Sequence, residues 1–118
     1  MLVKVLKSKI HRATVTQADV DYVGSISIDR TLCEASGLVD GQAVLVADIA
    51  NGARLETYVQ VAEADSGTIC MNGAAARLIS PGDLVIIMGF AYLTQEETAD
   101  HRARIVVVDE RNRIAQTL

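Results

Sequence analysis

The stretch Tyr22-Val23-Gly24-Ser25-Ile26-Ser27-Ile28-Asp29 joins a turn to a run in which apolar and polar residues alternate. Alternation with a period of two is the pattern of a half-buried strand, because successive side chains on a strand point to opposite faces of the sheet. The Gly24-Ser25 dipeptide is therefore predicted to lie where an extended segment begins. Gly and Ser are favoured in turns for backbone reasons, so on its own the dipeptide indicates only a turn.

On both sides of this stretch, short apolar runs separated by turn residues predict further strands. Residues 43–50 are nearly all apolar and predict a buried strand. Asn51-Gly52 is a strong hairpin signal that returns the chain into a strand at residues 54–62. The most hydrophobic run covers residues 84–92, and the remaining predicted strands cover residues 2–6, 10–16, 67–71 and 105–108.

The sequence predicts only short helices. Asp29 is a suitable N-cap for a helix that runs through Ala35, and Gly37 is placed to end it in a left-handed conformation. Residues 74–78 predict at most two turns of helix before the next strand. Thr94-Gln95-Glu96-Glu97 has the form of a capping box and predicts a further short helix.

A chain of 118 residues is predicted to form a single domain, residues 1–118, with a modest core of its own. Half of the residues are hydrophobic, yet there are only one Phe, three Tyr and no Trp, so the core is expected to be aliphatic. Many short strands with turns between them predict a mainly β fold with short helices, closed into a small barrel. Polar residues 17–21 are expected to form a turn, and the tail after Asp109 is expected to fray.

The charge balance argues against nucleic-acid binding, because 11 basic residues face 15 acidic ones and no basic run is present. The N-terminus lacks a signal-peptide core and no apolar run approaches membrane-spanning length, so a cytoplasmic location without membrane association is expected. Cys33 and Cys70 have no metal-ligand spacing, and two buried thiols are favoured over a disulfide. His11 and His101 belong to no His/Cys cluster, so no metal is predicted.

Several segments share an order and spacing with a known family. Upstream of the opening stretch runs Lys9-Ile10-His11-Arg12-Ala13-Thr14-Val15-Thr16-Gln17-Ala18-Asp19, and downstream come Asn51-Gly52-Ala53-Arg54, Thr57-Tyr58 and Asn72-Gly73-Ala74-Ala75-Ala76. Together these segments resemble the aspartate 1-decarboxylase family, whose members are pyruvoyl enzymes that make β-alanine for pantothenate and coenzyme A biosynthesis. The resemblance extends from about Lys4 to Phe90.

The resemblance implies a double-psi β-barrel that assembles as a homotetramer with active sites between subunits. It also implies autocatalytic cleavage at Gly24-Ser25 into a β chain, residues 1–24, and an α chain, residues 25–118, that begins with a pyruvoyl group made from Ser25. This covalent cofactor would form a Schiff base with L-aspartate and act as an electron sink while CO2 leaves, giving β-alanine. Some members of the family use a maturation factor, so such a protein is a candidate partner.

The proposed cleavage makes specific demands on the backbone around Gly24. A serine hydroxyl that attacks the preceding carbonyl needs a distorted backbone, and Gly tolerates conformations that are closed to residues with a Cβ. A donor must then stabilise the oxyanion that develops on that carbonyl. Thr57 matches the family threonine implicated in this step, although the strand pattern alone would explain a Thr at this position equally well.

Other matched positions suit the binding and protonation of an acidic substrate. Arg54 can pair bidentately with a carboxylate, and Lys9 matches a second cationic position. Tyr58 matches the proposed proton donor of the family. On residue type alone, these three would be two surface charges and a strand tyrosine. The remaining matches are Asn72, Gly73, Ala74 and Ala75, which would orient the pyruvoyl group or the substrate, and His11 and Tyr22, which would support the site.

Strand periodicity predicts that the candidate residues of the segment 54–62 do not all lie on one face of the strand. Arg54 and Tyr58 share one face of a regular strand, while Thr57 points the other way. A strand at a subunit seam, or a strand with a bulge, could deliver both faces to neighbouring chemistry. An alternative interpretation of the whole chain is a non-cleaving double-psi barrel that acts as a binding or interaction module, in which Ser25 is an ordinary serine.

Overall fold

Nine strands, one α-helix and two 3-10 helices follow one another along residues 1–118, all of which the computed structural model describes. None of the helices has the length and apolar character needed to cross a membrane. The mainly β fold with short helices is confirmed. The strands are β1 (Leu2–Thr14), β2 (Gln17–Asp19), β3 (Ser25–Asp29), β4 (Ala43–Asp48), β5 (Arg54–Ala62), β6 (Ile69–Asn72), β7 (Leu84–Thr94), β8 (Arg104–Val108) and β9 (Ile114–Thr117); the helices are α1 (Arg30–Ser36) and the 3-10 helices Gly73–Arg77 and Glu97–Asp100.

Hydrogen bonds join the strands in the order β2-β6-β3-β5-β4-β7-β1-β8-β9. The pairs β1 with β8, β2 with β6 and β3 with β5 are parallel, and the other pairs are antiparallel. Because no parallel pair joins consecutive strands, the chain crosses over itself repeatedly, in agreement with the double-psi β-barrel class. This order places β3, which begins at Ser25, between β5 and β6.

The core is aliphatic, as the composition predicts. Eighteen buried residues form one cluster, and Ile26 and Ile28 of β3 lie within it. Ser25 and Ser27 alternate with these isoleucines and therefore face outward from the core. Cys33 and Cys70 are both buried and unpaired.

The predictions that rest on residues close together in the sequence, namely the helix caps, the hairpin and the capping box, are confirmed. The Asp29 side chain accepts a hydrogen bond from the Thr31 backbone N–H at 2.8 Å, and Gly37 ends α1 with φ of 80°. The hairpin at Asn51-Gly52 joins β4 to β5. The capping box is also formed, since the backbone N–H groups of Thr94 and Glu97 each donate to the side chain of the other.

Two N-terminal predictions are wrong because long-range pairing overrides local polarity. Residues 2–6 and 10–16 were predicted as two strands, but β1 runs continuously through Leu2–Thr14. Irregularities between Leu6 and Ser8 and between Ile10 and Ala13 let it stay paired with β7 across the polar residues. Residues 17–21 were predicted as a turn, but the first three of them, Gln17–Asp19, form strand β2 because they pair with β6.

The predicted fraying of the C-terminal tail is also wrong, because β9 pairs with β8 and a buried Asn112 anchors the turn before it. The Asn112 side chain accepts from the Thr14 backbone N–H at 2.8 Å and donates to the backbone carbonyls of Thr14 and Gly67 at 2.8 and 2.9 Å. Its φ of 59° is a left-handed conformation that Asn adopts more readily than most residues.

Asn112→Ala is expected to lower the free energy of unfolding by about 2–4 kcal/mol, because it removes these hydrogen bonds and because alanine adopts a left-handed conformation less readily than asparagine does. Urea unfolding at a fixed protein concentration measures the change. The exposed Gln116 on β9 provides the control, since Gln116→Ala should change stability by less than about 0.5 kcal/mol. Equal effects of the two substitutions would contradict an anchoring role for Asn112.

A pair of carboxyl groups joins the end of β4 to the start of β7. Asp48 is only 2% exposed; its Oδ1 accepts from the Ala50 backbone N–H at 2.7 Å, while its Oδ2 is buried without a donor. Burial raises the pKa of Asp48 and hydrogen bonding to Asp83 raises it further, whereas this hydrogen bond lowers the pKa of Asp83. When Asp48 carries a proton, it can donate that proton to the Asp83 carboxylate, which would satisfy both groups.

The Asp48–Asp83 pair makes stability depend on pH in a defined direction. Because the pKa of Asp48 is raised by folding, its contribution is complete below about pH 4 and is lost as the pH rises through the raised value. Asp48→Asn keeps a donor toward Asp83 at every pH. The stability of this variant relative to the wild type is therefore expected to increase as the pH is raised from about 4 to 8, measured by urea unfolding. A difference that is constant with pH would contradict the shared proton.

Candidate active site

Ser25 lies at the first position of β3 and is only 1% exposed. The register of the sheet sets it opposite Asn72 of β6. Its Oγ accepts from the Asn72 side-chain amide at 2.9 Å and donates to the Gln60 Oε1 of β5 at 3.1 Å. The hydroxyl is thus held between side chains from the two strands that flank β3.

Asn72 is the centre of this hydrogen-bond network. Besides Ser25, its Nδ2 donates to the Ser27 Oγ at 3.0 Å, while its Oδ1 accepts from the Cys70 Sγ at 3.2 Å. The donors and acceptors around the amide fix its orientation, with the nitrogen toward the two serines. Burial raises the pKa of the Cys70 thiol, and the nearby charge of Asp19 adds to this, so Cys70 keeps the proton that it donates.

The backbone of Gly73 packs directly against the Gly24 junction. Gly73 has φ of 69°, and a Cβ at this position would lie 2.8 Å from the Gly24 Cα and 3.1 Å from the Tyr22 carbonyl oxygen. Real Cβ atoms essentially never come within 3.0 Å of another heavy atom, so only glycine fits here. The close approach supports the backbone on the N-terminal side of Ser25.

A cavity of about 270 Å³ opens beside the Gly24 junction. Its wall brings together five of the residues that the sequence predicted for the site, and small side chains leave its interior open. The lining residues are Gly24, Thr57, Asn72, Ala74 and Ala75 from the prediction, together with Leu55, Glu56 and Leu78.

Two predicted residues of β5 lie on the opposite face of that strand from Thr57. Arg54 and Tyr58 are exposed, with Tyr58 at 43%, while Thr57 is half-buried on the inner face with Val59. The pairing of β5 with β4 shows no register shift, so a bulge does not deliver both faces to one place. Of the two explanations that the sequence left open, the bulge is excluded for this pairing, and a strand at a subunit seam stays a prediction.

Lys9 and His11 lie on β1, which is separated from β5 by β4 and β7. Both alternate with the buried Ser8 and Ile10 and therefore face outward. Burial lowers the pKa of His11, helped by the charges of Lys9 and Arg12, and its Nδ1 is buried without a hydrogen-bond partner. The sheet order therefore keeps these residues away from the strands that carry Ser25 and Asn72 in the same chain.

The network also contains residues that the sequence analysis missed. Gln60 and Cys70 contact Ser25 and Asn72, and Gln60 Nε2 reaches the Tyr22 hydroxyl at 3.4 Å. Gln60 lies two positions after Tyr58 on the same strand face, and Cys70 lies two positions before Asn72. Period-two spacing was the available signal, but the strand register that brings them to Ser25 cannot be read from either segment. No cluster of three or more His, Cys, Asp and Glu side chains is placed to hold a metal ion.

The fold and the site define a mixed β-barrel protein that carries a buried serine at a Gly–Ser junction beside a small cavity. The family model for aspartate decarboxylase matches residues 1–115. The chain therefore belongs to the aspartate decarboxylase family.

Relatives share this similarity over nearly the whole chain. The aspartate 1-decarboxylase of Corynebacterium efficiens is 60% identical over 97% of this chain and 84% of that protein. Those of Caldicellulosiruptor saccharolyticus and Lactiplantibacillus plantarum are 57% and 55% identical, each over 98% of this chain and over 91% and 89% of their own lengths. Among solved structures, the computationally designed msDPBB_sym2 protein has a TM-score of 0.46 and 21% identity over 74% of this chain and 99% of that chain.

Proposed function

We propose that this chain is a single-domain enzyme that decarboxylates L-aspartate to β-alanine and CO2 for pantothenate and coenzyme A biosynthesis, after cleaving itself between Gly24 and Ser25. The observation that carries the proposal is the buried Ser25 hydroxyl, held by Asn72 and Gln60 at the start of β3 next to a cavity lined by Gly24. The names of the relatives supply the substrate.

Cleavage begins when Ser25 Oγ attacks the carbonyl carbon of Gly24. The hydroxyl proton passes to the Ser25 nitrogen as the peptide bond becomes an ester. Loss of the Ser25 α-proton then expels the Gly24 carboxylate and leaves dehydroalanine, which water converts to a ketone with release of ammonia. Thr57 lines the same cavity as Gly24, so its hydroxyl is the candidate donor to the oxyanion that forms on the Gly24 carbonyl.

The residues around Gly24 fit the pyruvoyl group that would result. Gly24, Ala74 and Ala75 leave room beside position 25, and the Asn72 amide, which donates to Ser25 Oγ before cleavage, lies next to the carbon atoms that would form the group. Asn72 and the backbone amides of residues 73–75 would hold the group and orient the substrate. When formed, the pyruvoyl group supplies a carbonyl electrophile that accepts the electron pair released by decarboxylation.

We infer that substrate recognition uses a second copy of the chain, because the sheet order holds Lys9 and His11 away from Ser25 and Arg54 precedes the part of β5 that pairs with β3. Arg54 would pair bidentately with the carboxylate that the product retains, with Lys9 as a second cation. Tyr58 would return a proton to the α-carbon, with His11 and Tyr22 supporting the site.

The outward face between these residues fits a subunit contact. Leu45 of β4 lies opposite Met88 of β7, which in turn lies opposite Lys9, so half-buried apolar side chains separate the outward-facing charges. Burying such a face between subunits would bring Lys9 and Arg54 of one chain toward Ser25 of another. The proposal therefore includes a homotetramer with shared sites that acts in the cytoplasm and is aided where necessary by a maturation factor.

Denaturing mass spectrometry of the purified protein tests the proposal. We expect two fragments that meet between Gly24 and Ser25, the larger without a free amino terminus, and β-alanine formation when L-aspartate is added. A single intact chain under every maturation condition, including the presence of a helper protein from a relative, would reject the proposal and favour a non-cleaving interaction module.

A further inference from the structure

We propose that Gln60 is a positioning residue for the cleavage step, because it fixes the direction of the Ser25 hydroxyl hydrogen. The inference rests on the proposed self-cleavage and adds a residue that the family motifs in the sequence did not identify. Its evidence is the 3.1 Å contact from Ser25 Oγ to Gln60 Oε1 and the 3.4 Å contact from Gln60 Nε2 to the Tyr22 hydroxyl.

The chemistry of the two amides assigns a role to each contact of Ser25 Oγ. Asn72 Nδ2 has only hydrogens to offer, so it must donate to Oγ, at 2.9 Å. Gln60 Oε1 can only accept, so it takes the hydroxyl hydrogen. One lone pair of Oγ is left for the Gly24 carbonyl carbon.

The orientation of each amide is fixed by a further partner. The Cys70 thiol donates to Asn72 Oδ1 at 3.2 Å, which keeps Nδ2 turned toward Ser25. The Tyr22 hydroxyl oxygen lies 3.4 Å from Gln60 Nε2, which keeps Oε1 turned toward Ser25. Tyr22 is two residues before Gly24, so Gln60 bridges the two sides of the bond to be cut.

The sheet register explains why Gln60 occupies this place. Strand β5 is parallel to β3, with Val59 opposite Ile26 and Gln60 opposite Ser27. Strand β6 is antiparallel to β3 and sets Asn72 opposite Ser25. Ser25 therefore has one amide side chain on each neighbouring strand, both on the outward face of the sheet.

An amide oxygen can orient a hydroxyl hydrogen but is too weakly basic to remove it at neutral pH. The wild-type residue thus aligns Ser25 Oγ without acting as a general base. A carboxylate at the same position would accept the same hydrogen bond and could also take the proton, while the Tyr22 hydroxyl could donate to it. General-base assistance typically accelerates a step by 10²–10⁴-fold.

The experiment follows the cleaved fraction of freshly purified full-length protein over time by denaturing mass spectrometry, at several pH values between 5 and 8. Gln60→Leu has a similar side-chain size and no acceptor, and its cleavage should be about tenfold slower, as expected for the loss of a hydrogen bond of about 1.4 kcal/mol. Gln60→Glu should cleave at least as fast as the wild type at pH 8, and its rate should rise with pH as the new carboxyl ionises. Gln116→Leu, on the exposed β9, is the matched control and should leave the rate unchanged.

The pH profile separates positioning from simple packing, because a packing role gives no reason for Gln60→Glu to gain a pH-dependent rate. The proposal is overturned if Gln60→Leu cleaves at the wild-type rate, or if Gln60→Glu is as slow as Gln60→Leu at every pH. If Gln60→Leu does not fold, as judged by circular dichroism, the pH profile of Gln60→Glu decides alone. Failure of the wild type itself to cleave would reject the proposed function instead.

Discussion

Ser25→Ala is expected to leave the chain as one piece of 118 residues and to abolish β-alanine formation from L-aspartate. The substitution removes a single oxygen, the atom that would attack the Gly24 carbonyl. It leaves β3 paired as before, because the ladder with β5 and β6 uses backbone groups. Denaturing mass spectrometry reports the chain length, and chromatographic detection of β-alanine reports the activity.

Ser27→Ala is the matched control for this experiment. Ser27 shares the face of β3 with Ser25 and accepts from the same Asn72 amide at 3.0 Å, but it is not adjacent to Gly24. Ser27→Ala removes a hydroxyl oxygen from the same network as Ser25→Ala does. A general loss of packing or of Asn72 orientation would therefore affect both variants. Cleavage and turnover in Ser27→Ala together with their absence in Ser25→Ala would assign the chemistry to Ser25, whereas full activity in Ser25→Ala would refute the mechanism.

Gly73→Ala is expected to slow cleavage by about 100-fold or more, because the new methyl group would lie 2.8 Å from the Gly24 Cα. The atoms that it meets belong to backbone and cannot move aside as a flexible side chain would. The segment from Tyr22 to Gly24 must therefore shift, and a displacement of about 1 Å at a reacting group can cost a factor of about 100 in rate. The time course of fragment formation measures the effect.

Gly82→Ala separates the steric effect from backbone strain. Gly82 also has a positive φ, 91°, but a Cβ there would meet nothing within 4 Å. Both variants carry the cost of about 1–2 kcal/mol for a left-handed residue with a Cβ, while only Gly73→Ala displaces the junction. Similar cleavage rates in the two variants would show that contact with Gly24 is unimportant.

The parts of the fold that follow from nearby residues could be predicted from the sequence. The Asp29 cap, the Gly37 terminus and the Thr94–Glu97 capping box involve groups only a few residues apart, and all are formed. Strand β2 was missed because it depends on the distant β6, and β9 was missed because the turn before it is held by Asn112, which bonds to the distant Thr14 and Gly67. Gln17 has a polar sequence around it and becomes part of a strand only because Cys70 lies beside it.

The candidate site divides in the same way. The family motifs identified Gly24, Thr57 and Asn72, which the fold gathers around one cavity. They also identified Lys9, which the sheet order holds apart from Ser25, and Arg54, which precedes the part of β5 that pairs with β3. In the proposed function these two residues reach the site through contacts between chains, which periodicity in one chain does not encode. Gln60 and Cys70 belong to no motif that the sequence analysis recognised, and their importance arises from cross-strand register.

The central place of β1 in the sheet bears on what happens to the N-terminal fragment. Thirteen of its residues form a strand flanked by β7 on one side and β8 on the other, and β2 attaches to β6 further along. After cleavage at Gly24, the N-terminal fragment would therefore stay in the barrel as an interior strand, held by hydrogen bonds and packing without a covalent link. Separating the two polypeptides would require denaturation, so a native measurement of mass would register no loss of the fragment.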